Sequence, residues 1–104
     1  MLQATETLIF DVEIKSARLV LRAIDHPFRK KVLFLLDRKG PLTVTQIWTT
    51  LRSEQSVCSA QLGILRDAGI IKATRDGKNT LYSVNIGRLQ KINEFAELLN
   101  KTRY

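Results

Sequence analysis

The sequence predicts a mainly α-helical domain carrying one small β-hairpin. Three observations carry that prediction. Apolar residues recur at helical spacing in five separate stretches, giving about five helices. Short breaker signals, Asp25-His26-Pro27, Gly40-Pro41 and Gly69, divide them. A lone strand-like pattern surrounds Asp76-Gly77. A chain of 104 residues, 44% hydrophobic, is read as one domain over 1–104 with a small core.

The first helix is expected over 8–24. Ala17, Val20, Leu21 and Ile24 form one apolar stripe that Phe10 and Ile14 extend, while Val12 and Leu19 lie on another side. A helix apolar on two sides needs its own core and a second partner, or else a concave core to lie across. His26 disfavours α conformation because a proline follows it, and Pro27 fits the first turn of the next helix, 27–39. There Phe28, Val32, Leu35 and Leu36 face inward, and Phe34 points to the other side. Lone His26 reads as a structural hydrogen-bonder rather than a ligand or base.

After Gly40-Pro41, Thr43 caps a short helix over 44–52, with Gln46 completing a capping box. Its stripe is Val44, Ile47, Trp48 and Leu51. Ser53-Glu54-Gln55 leads at once into a helix over Glu54–Gly69. There Cys58, Leu62 and Leu65, at i, i+4 and i+7, make the buried face. Ser56, Ser59, Ala60, Gly63 and Asp67 make the opposite one. That face is small and nearly uncharged in a chain of net charge +7. It can approach a partner closely, with the positive end of the helix dipole beside it. Alone, this is also the pattern of a plain core helix with a solvated side. Two short helices joined tightly, the second presenting a small polar face, make a helix-turn-helix over 44–69 within a helical core of 27–69.

Gly69 ends that helix. Ile70–Arg75 and Asn79–Val84 read as strands around Asp76-Gly77, a hairpin over 70–84 with Arg75, Lys78 and Asn79 at its tip. A basic hairpin directly after a helix-turn-helix is a wing, placed to grip phosphates or a minor groove. The last helix, 86–100, carries Leu89, Ile92, Ala96 and Leu99 at seam spacing, with Phe95 and Leu98 on a second side. One small core cannot easily cover both, so the first and last helices are expected to pair with their copies in a homodimer.

Charge follows the same division. Residues 1–26 carry net −1, residues 27–85 net +6 and residues 86–104 net +2. The basic part coincides with the helix-turn-helix and hairpin, which points to an anionic partner, nucleic acid above all. No apolar run is long enough to span a membrane, and no signal peptide is evident. The single cysteine, Cys58, excludes an internal disulfide and disfavours a cysteine-based metal cluster. These features predict a cytoplasmic protein. An enzyme is not expected: there is no Ser–His–Asp ordering, no carboxylate pair in apolar surroundings and no phosphate-binding glycine loop.

Four stretches in order resemble the ArsR-type winged helix-turn-helix family of bacterial regulators. Leu21–Arg29 resembles the family's entry to its second helix, where His-Pro-x-Arg is typical. Gln55–Leu62 resembles its recognition helix, and Leu65–Ile71 the exit into the wing. Arg75-Asp76-Gly77-Lys78 and Tyr82-Ser83 resemble the wing itself. The resemblance covers about residues 19–85. It implies a homodimeric transcriptional regulator, usually a repressor that a signal releases from its operator. Carried over by position, DNA contacts fall on Gln55, Ser56, Ser59 and Gln61, with Arg75 and Lys78 in the wing. Ser56 and Ser59 follow also from the helical wheel, and Gln61 lies nearer the inward edge.

The departures concern readout and signal. Ala60 stands where many relatives have a longer side chain, which shifts weight from base readout to phosphate contacts and DNA shape. Thr43 and Thr45 stand where metal-sensing members carry a Cys-x-Cys pair, and the last helix has Glu94 and Glu97 but no histidine. No metal site and no cofactor are therefore expected, and the inducer is unknown. The expected function is that of a double-stranded-DNA-binding regulator whose two recognition helices meet successive major grooves about 34 Å apart. The alternative is a protein-interaction module on the same scaffold.

Overall fold

The computed structural model describes residues 14–101. Among them are five helices and a two-stranded antiparallel sheet. Helix α1 runs to residue 24 from the first described position, 14. Then follow α2 (Pro27–Lys39), α3 (Val44–Leu51), α4 (Gln55–Asp67), β1 (Ile71–Asp76), β2 (Asn79–Val84) and α5 (Ile86–Lys101). The predicted start of the first helix at Leu8, with Phe10 and Val12, lies outside the described residues. So do the side chains of Ala96 and Leu99.

Local chemistry sets the boundaries. His26 caps α2: its Nδ1 accepts from the Phe28 and Arg29 amides at 3.1 and 3.4 Å, and Pro27 occupies the first turn. Thr43 and Gln46 form the expected reciprocal capping box on α3. Helix α3 stops one residue earlier than the pattern suggested. Arg52 turns into the left-handed region at φ 54° and ψ 42°, which ends the helix and turns the chain toward α4. Helix α4 ends in a Schellman motif. Ile70 N–H donates to Leu65 O at 3.1 Å and Gly69 N–H to Arg66 O at 2.9 Å, with Gly69 at φ +75°.

The hairpin differs from expectation by one residue. Asp76 pairs with Asn79, so the two-residue turn is Gly77-Lys78 rather than Asp76-Gly77. Gly77 alone of the two takes a positive φ, +62°, the form in which glycine fills the first turn position. Strand β2 has a second neighbour. Leu42, just ahead of α3, exchanges two main-chain bonds with Tyr82, at 3.0 and 2.7 Å.

The core gathers Val20 and Ala23 of α1, Val32 and Leu36 of α2, Ile47 of α3, and Cys58, Leu62, Leu65 and Ala68 on and just after α4, with Ile70 and Ile71 at the entry to β1. No polar or charged residue is buried among the described residues. Helix α1 is rotated relative to the predicted stripe. The predicted stripe includes Leu21, which is 62% exposed, while the smaller Ala23 is buried. Helix α5 reaches the core through Leu89 and Ile92. The molecule measures 51 × 29 × 22 Å, with a radius of gyration of 16.2 Å. A compact hundred-residue domain would have about 13 Å. The elongation leaves apolar side chains outside: Leu19, Leu21 and Phe34 are all more than half exposed.

Candidate nucleic-acid interface

Helix α4 has a fully apolar keel and a polar upper edge. Cys58, Leu62 and Leu65 are at most 2% exposed, and Ser56, Ser59, Ala60 and Gly63 all lie on the exposed side. Gln55 opens the helix and is exposed as well. Glu54 takes the N-cap position but its side chain makes no cap bond. The first-turn amides therefore gain no side-chain hydrogen bond from the cap, and the first turn itself carries no acidic residue.

The wing supplies the cations. Arg75 and Lys78 are both exposed, one at the end of β1 and one in the turn. Arg75 faces Thr80 across the hairpin, its Nη1 donating to the Thr80 hydroxyl at 3.3 Å. That long bond orients the guanidinium without neutralising it. Lys72, lower on β1, is exposed too.

Gln61 sits differently from its expected companions. It is half-buried, and its Oε1 accepts from Arg29 Nη1 at 2.9 Å. The same guanidinium donates through Nε to Ala23 O at 2.6 Å and through Nη2 to Arg22 O at 3.5 Å. Arg29 thus fastens the end of α1 to the middle of α4. Gln61 joins the DNA-facing side chains only through the family resemblance; the helical wheel already sets it nearer the inward edge, and its partner lies 32 residues away.

A residue the sequence reading passed over, Asn85, holds the wing to the helix pair. Its N–H donates to Ile70 O at 2.7 Å and its Nδ2 to Gly69 O at 3.1 Å. Its Oδ1 accepts from Arg88 N at 3.3 Å and so caps α5. The signal was present: an asparagine just before a helical pattern is a capping residue. Asn85→Ala removes both side-chain bonds and is expected to lower stability by about 2 kcal/mol. Urea unfolding would measure it, and Asn85→Asp, which keeps the cap and loses the Gly69 bond, should fall between.

Thr43 is committed locally as the cap of α3, and Thr45 is exposed on the first turn of that helix. Among the described residues no group of three or more His, Cys, Asp or Glu side chains is placed to hold a metal ion. Cys58 is fully buried in the keel, and burial pushes its thiol above the ordinary 9.0. Folding therefore favours the protonated thiol. That contribution to stability is intact below pH 9.0 and is lost as pH rises through the folded-state value. A thiol reagent at neutral pH is expected to label Cys58 only as fast as the protein opens, and rapid labelling of native protein would contradict the burial.

Comparison with known proteins agrees with this architecture. The family model for bacterial regulatory proteins of the arsR family matches residues 26–73. The transcriptional regulator NmtR of Mycobacterium tuberculosis is 39% identical over 64 residues, 62% of this chain and 52% of that protein. The chain thus spans about half of NmtR's length. The transcriptional repressor SdpR of Bacillus subtilis is 35% identical over 83 residues, 79% of this chain and 91% of that protein. Among solved structures, the homodimeric winged helix-turn-helix DNA-binding domain Mb0332 of Mycobacterium bovis superposes with a TM-score of 0.69 at 21% identity, over 88% of this chain and 84% of that one. The helix pair, the hairpin that follows it and these matches together establish that the chain belongs to the arsR family of bacterial regulatory proteins, with the winged helix-turn-helix fold.

Proposed function

We propose that the chain is a cytoplasmic, homodimeric transcriptional repressor that binds double-stranded DNA and carries no catalytic activity. The observation that carries this reading is the pairing on α4 of an apolar keel with an uncharged, exposed edge, followed at once by a cationic hairpin tip. Gln55, Ser56 and Ser59 enter the major groove, where short side chains let the helix axis come close to the base edges. Arg75 and Lys78 contact phosphates beside it. Gln61 serves the interface indirectly, by fixing α4 to Arg29. Helices α1 and α5 join two copies, which accounts for Leu21 and the elongated protomer. SdpR's designation as a repressor and Mb0332's as a homodimer support the same reading for this chain. No described helix is long and apolar enough to cross a membrane.

Fluorescence anisotropy against the duplex upstream of the chain's own coding sequence and against a scrambled duplex tests the proposal. The expected result is a preference of at least about a thousandfold, with affinity falling steeply as salt rises. Equal affinity for both duplexes, or no binding at low salt, would instead favour a protein-interaction role.

A further inference from the structure

The molecule has a second built feature, away from the groove-facing edge of α4. Where the end of α1 crosses the second half of α4, a hollow of about 380 Å³ opens to the surface. That is within the usual size of small-molecule sites, about 300–1,000 Å³. Its apolar wall comes from Leu19 and Ala23 of α1 and from Ile64 and Ala68 on the α4 side. Leu19 and Ile64 are 55% and 42% exposed, so the hollow presents apolar surface that the fold itself does not cover.

Its polar rim is cationic on balance. Arg22 and Arg29 border it against the single carboxylate of Asp67. Arg29 is the telling group. Its three hydrogen bonds to described residues all end on neutral oxygens, those of Ala23, Arg22 and Gln61. Among the described residues no carboxylate forms an ion pair with it. A half-buried guanidinium whose acceptors are neutral still carries an uncompensated charge, and a carboxylate offers it both a Coulombic attraction and a two-oxygen fork that an amide or main-chain oxygen lacks.

From this geometry we infer that the hollow binds a small organic carboxylate with an apolar tail. The tail lies on Leu19 and Ile64, and the carboxylate takes Arg29 in competition with Gln61. Binding therefore loosens the tie between α1 and α4. Through that tie it alters how α4 is carried, which lowers DNA affinity. The binding site stands on its own observations; the effect on DNA rests on the regulatory reading above.

The experiment uses the full chain, uniformly labelled with nitrogen-15, and hexanoate as probe, with hexan-1-ol and acetate as controls. Hexanoate is expected to shift the backbone amides of Ala23, Ile64 and Asp67 and the Arg29 Nε–H resonance, saturably and together. Hexan-1-ol lacks the charge and acetate lacks the tail, and neither should do so. Ile64→Glu puts a carboxylate into the apolar wall at a partly exposed position, so the fold is kept and the hexanoate response should vanish. Arg22→Gln should weaken it several-fold. Equal shifts with hexan-1-ol would reduce the hollow to a nonspecific greasy surface. Equal shifts with acetate would reduce it to a surface cation. No shift with any probe would mean the hollow is closed, for instance by the second copy. Each of these outcomes overturns the inference.

The titration is read without DNA, so an absence of duplex binding would sink the regulatory reading and leave the site intact. Where the duplex is bound, saturating hexanoate should weaken it at least fivefold in the parent chain and leave Ile64→Glu unaffected. An unchanged affinity in the parent would overturn the coupling.

Discussion

Arg75→Glu with Lys78→Glu is expected to cut duplex affinity by about a hundredfold or more at moderate salt and to flatten its salt dependence. Each protomer brings two cations to the wing tip, so a homodimer would neutralise four phosphates through them. Each such contact steepens the log–log salt slope by about 0.9, so removing all of them should lower it by three to four. Reversal goes further than removal, since glutamate is repelled by the same phosphates. Both side chains are exposed, and among the described residues Arg75 is engaged only by the Thr80 hydroxyl at 3.3 Å. The melting temperature should consequently stay within a degree or two of the parent's, as is usual for surface changes. A drop in affinity with an unchanged salt slope would show that the wing does not meet the backbone.

Leu65→Ala should produce the largest loss of stability among single substitutions on α4. Leu65 is fully buried between the helices and the entry to β1. Truncation removes the burial of its side chain and leaves a cavity that closely packed neighbours refill only in part. The expected cost is about 3 kcal/mol, out of the roughly 5–15 kcal/mol typical of a domain. For a chain of this size each kcal/mol lowers the melting point by about 4–8 °C. Urea unfolding should show an earlier midpoint at an unchanged slope. DNA binding at low temperature, corrected for the folded fraction, should be nearly that of the parent, because the keel only supports the groove-facing edge. A cost under 1 kcal/mol would mean that α4 is not held by this stripe.

The parts of the fold readable from the chain were those in which one element's own pattern decides the outcome. Helix α2 came out at its observed bounds because a proline starts it and a glycine ends it. The Thr43–Gln46 capping box is a four-residue signal whose two halves need no outside partner. The keel of α4 is three large or sulfur-bearing side chains at one spacing. What failed depends on which way a helix is turned toward others. Leu21 outweighs Ala23 in hydrophobicity, yet α1 buries Ala23 beside Val20 and leaves Leu21 outside, because the turn of the helix about its own axis is set by what it packs against and not by its own pattern. The Leu42–Tyr82 pairing involves one residue ahead of α3, and a single residue has no period to detect. The Arg29–Gln61 bond joins positions 32 residues apart. Of the candidate interface, the outward exposure of Gln55, Ser56, Ser59, Arg75 and Lys78 was legible, and the engagement of Gln61 by Arg29 was not.

The hairpin is moored at its base from both flanks, by Leu42 to Tyr82 ahead of the helix pair and by Asn85 to Gly69 and Ile70 behind it. Its two far pairs, Arg75 with Thr80 and Asp76 with Asn79, lie beyond those moorings. Substitutions in the outer pairs can thus alter the charge offered to the phosphates without endangering the scaffold, so the strength of the grip on a duplex is adjustable separately from the stability of the fold.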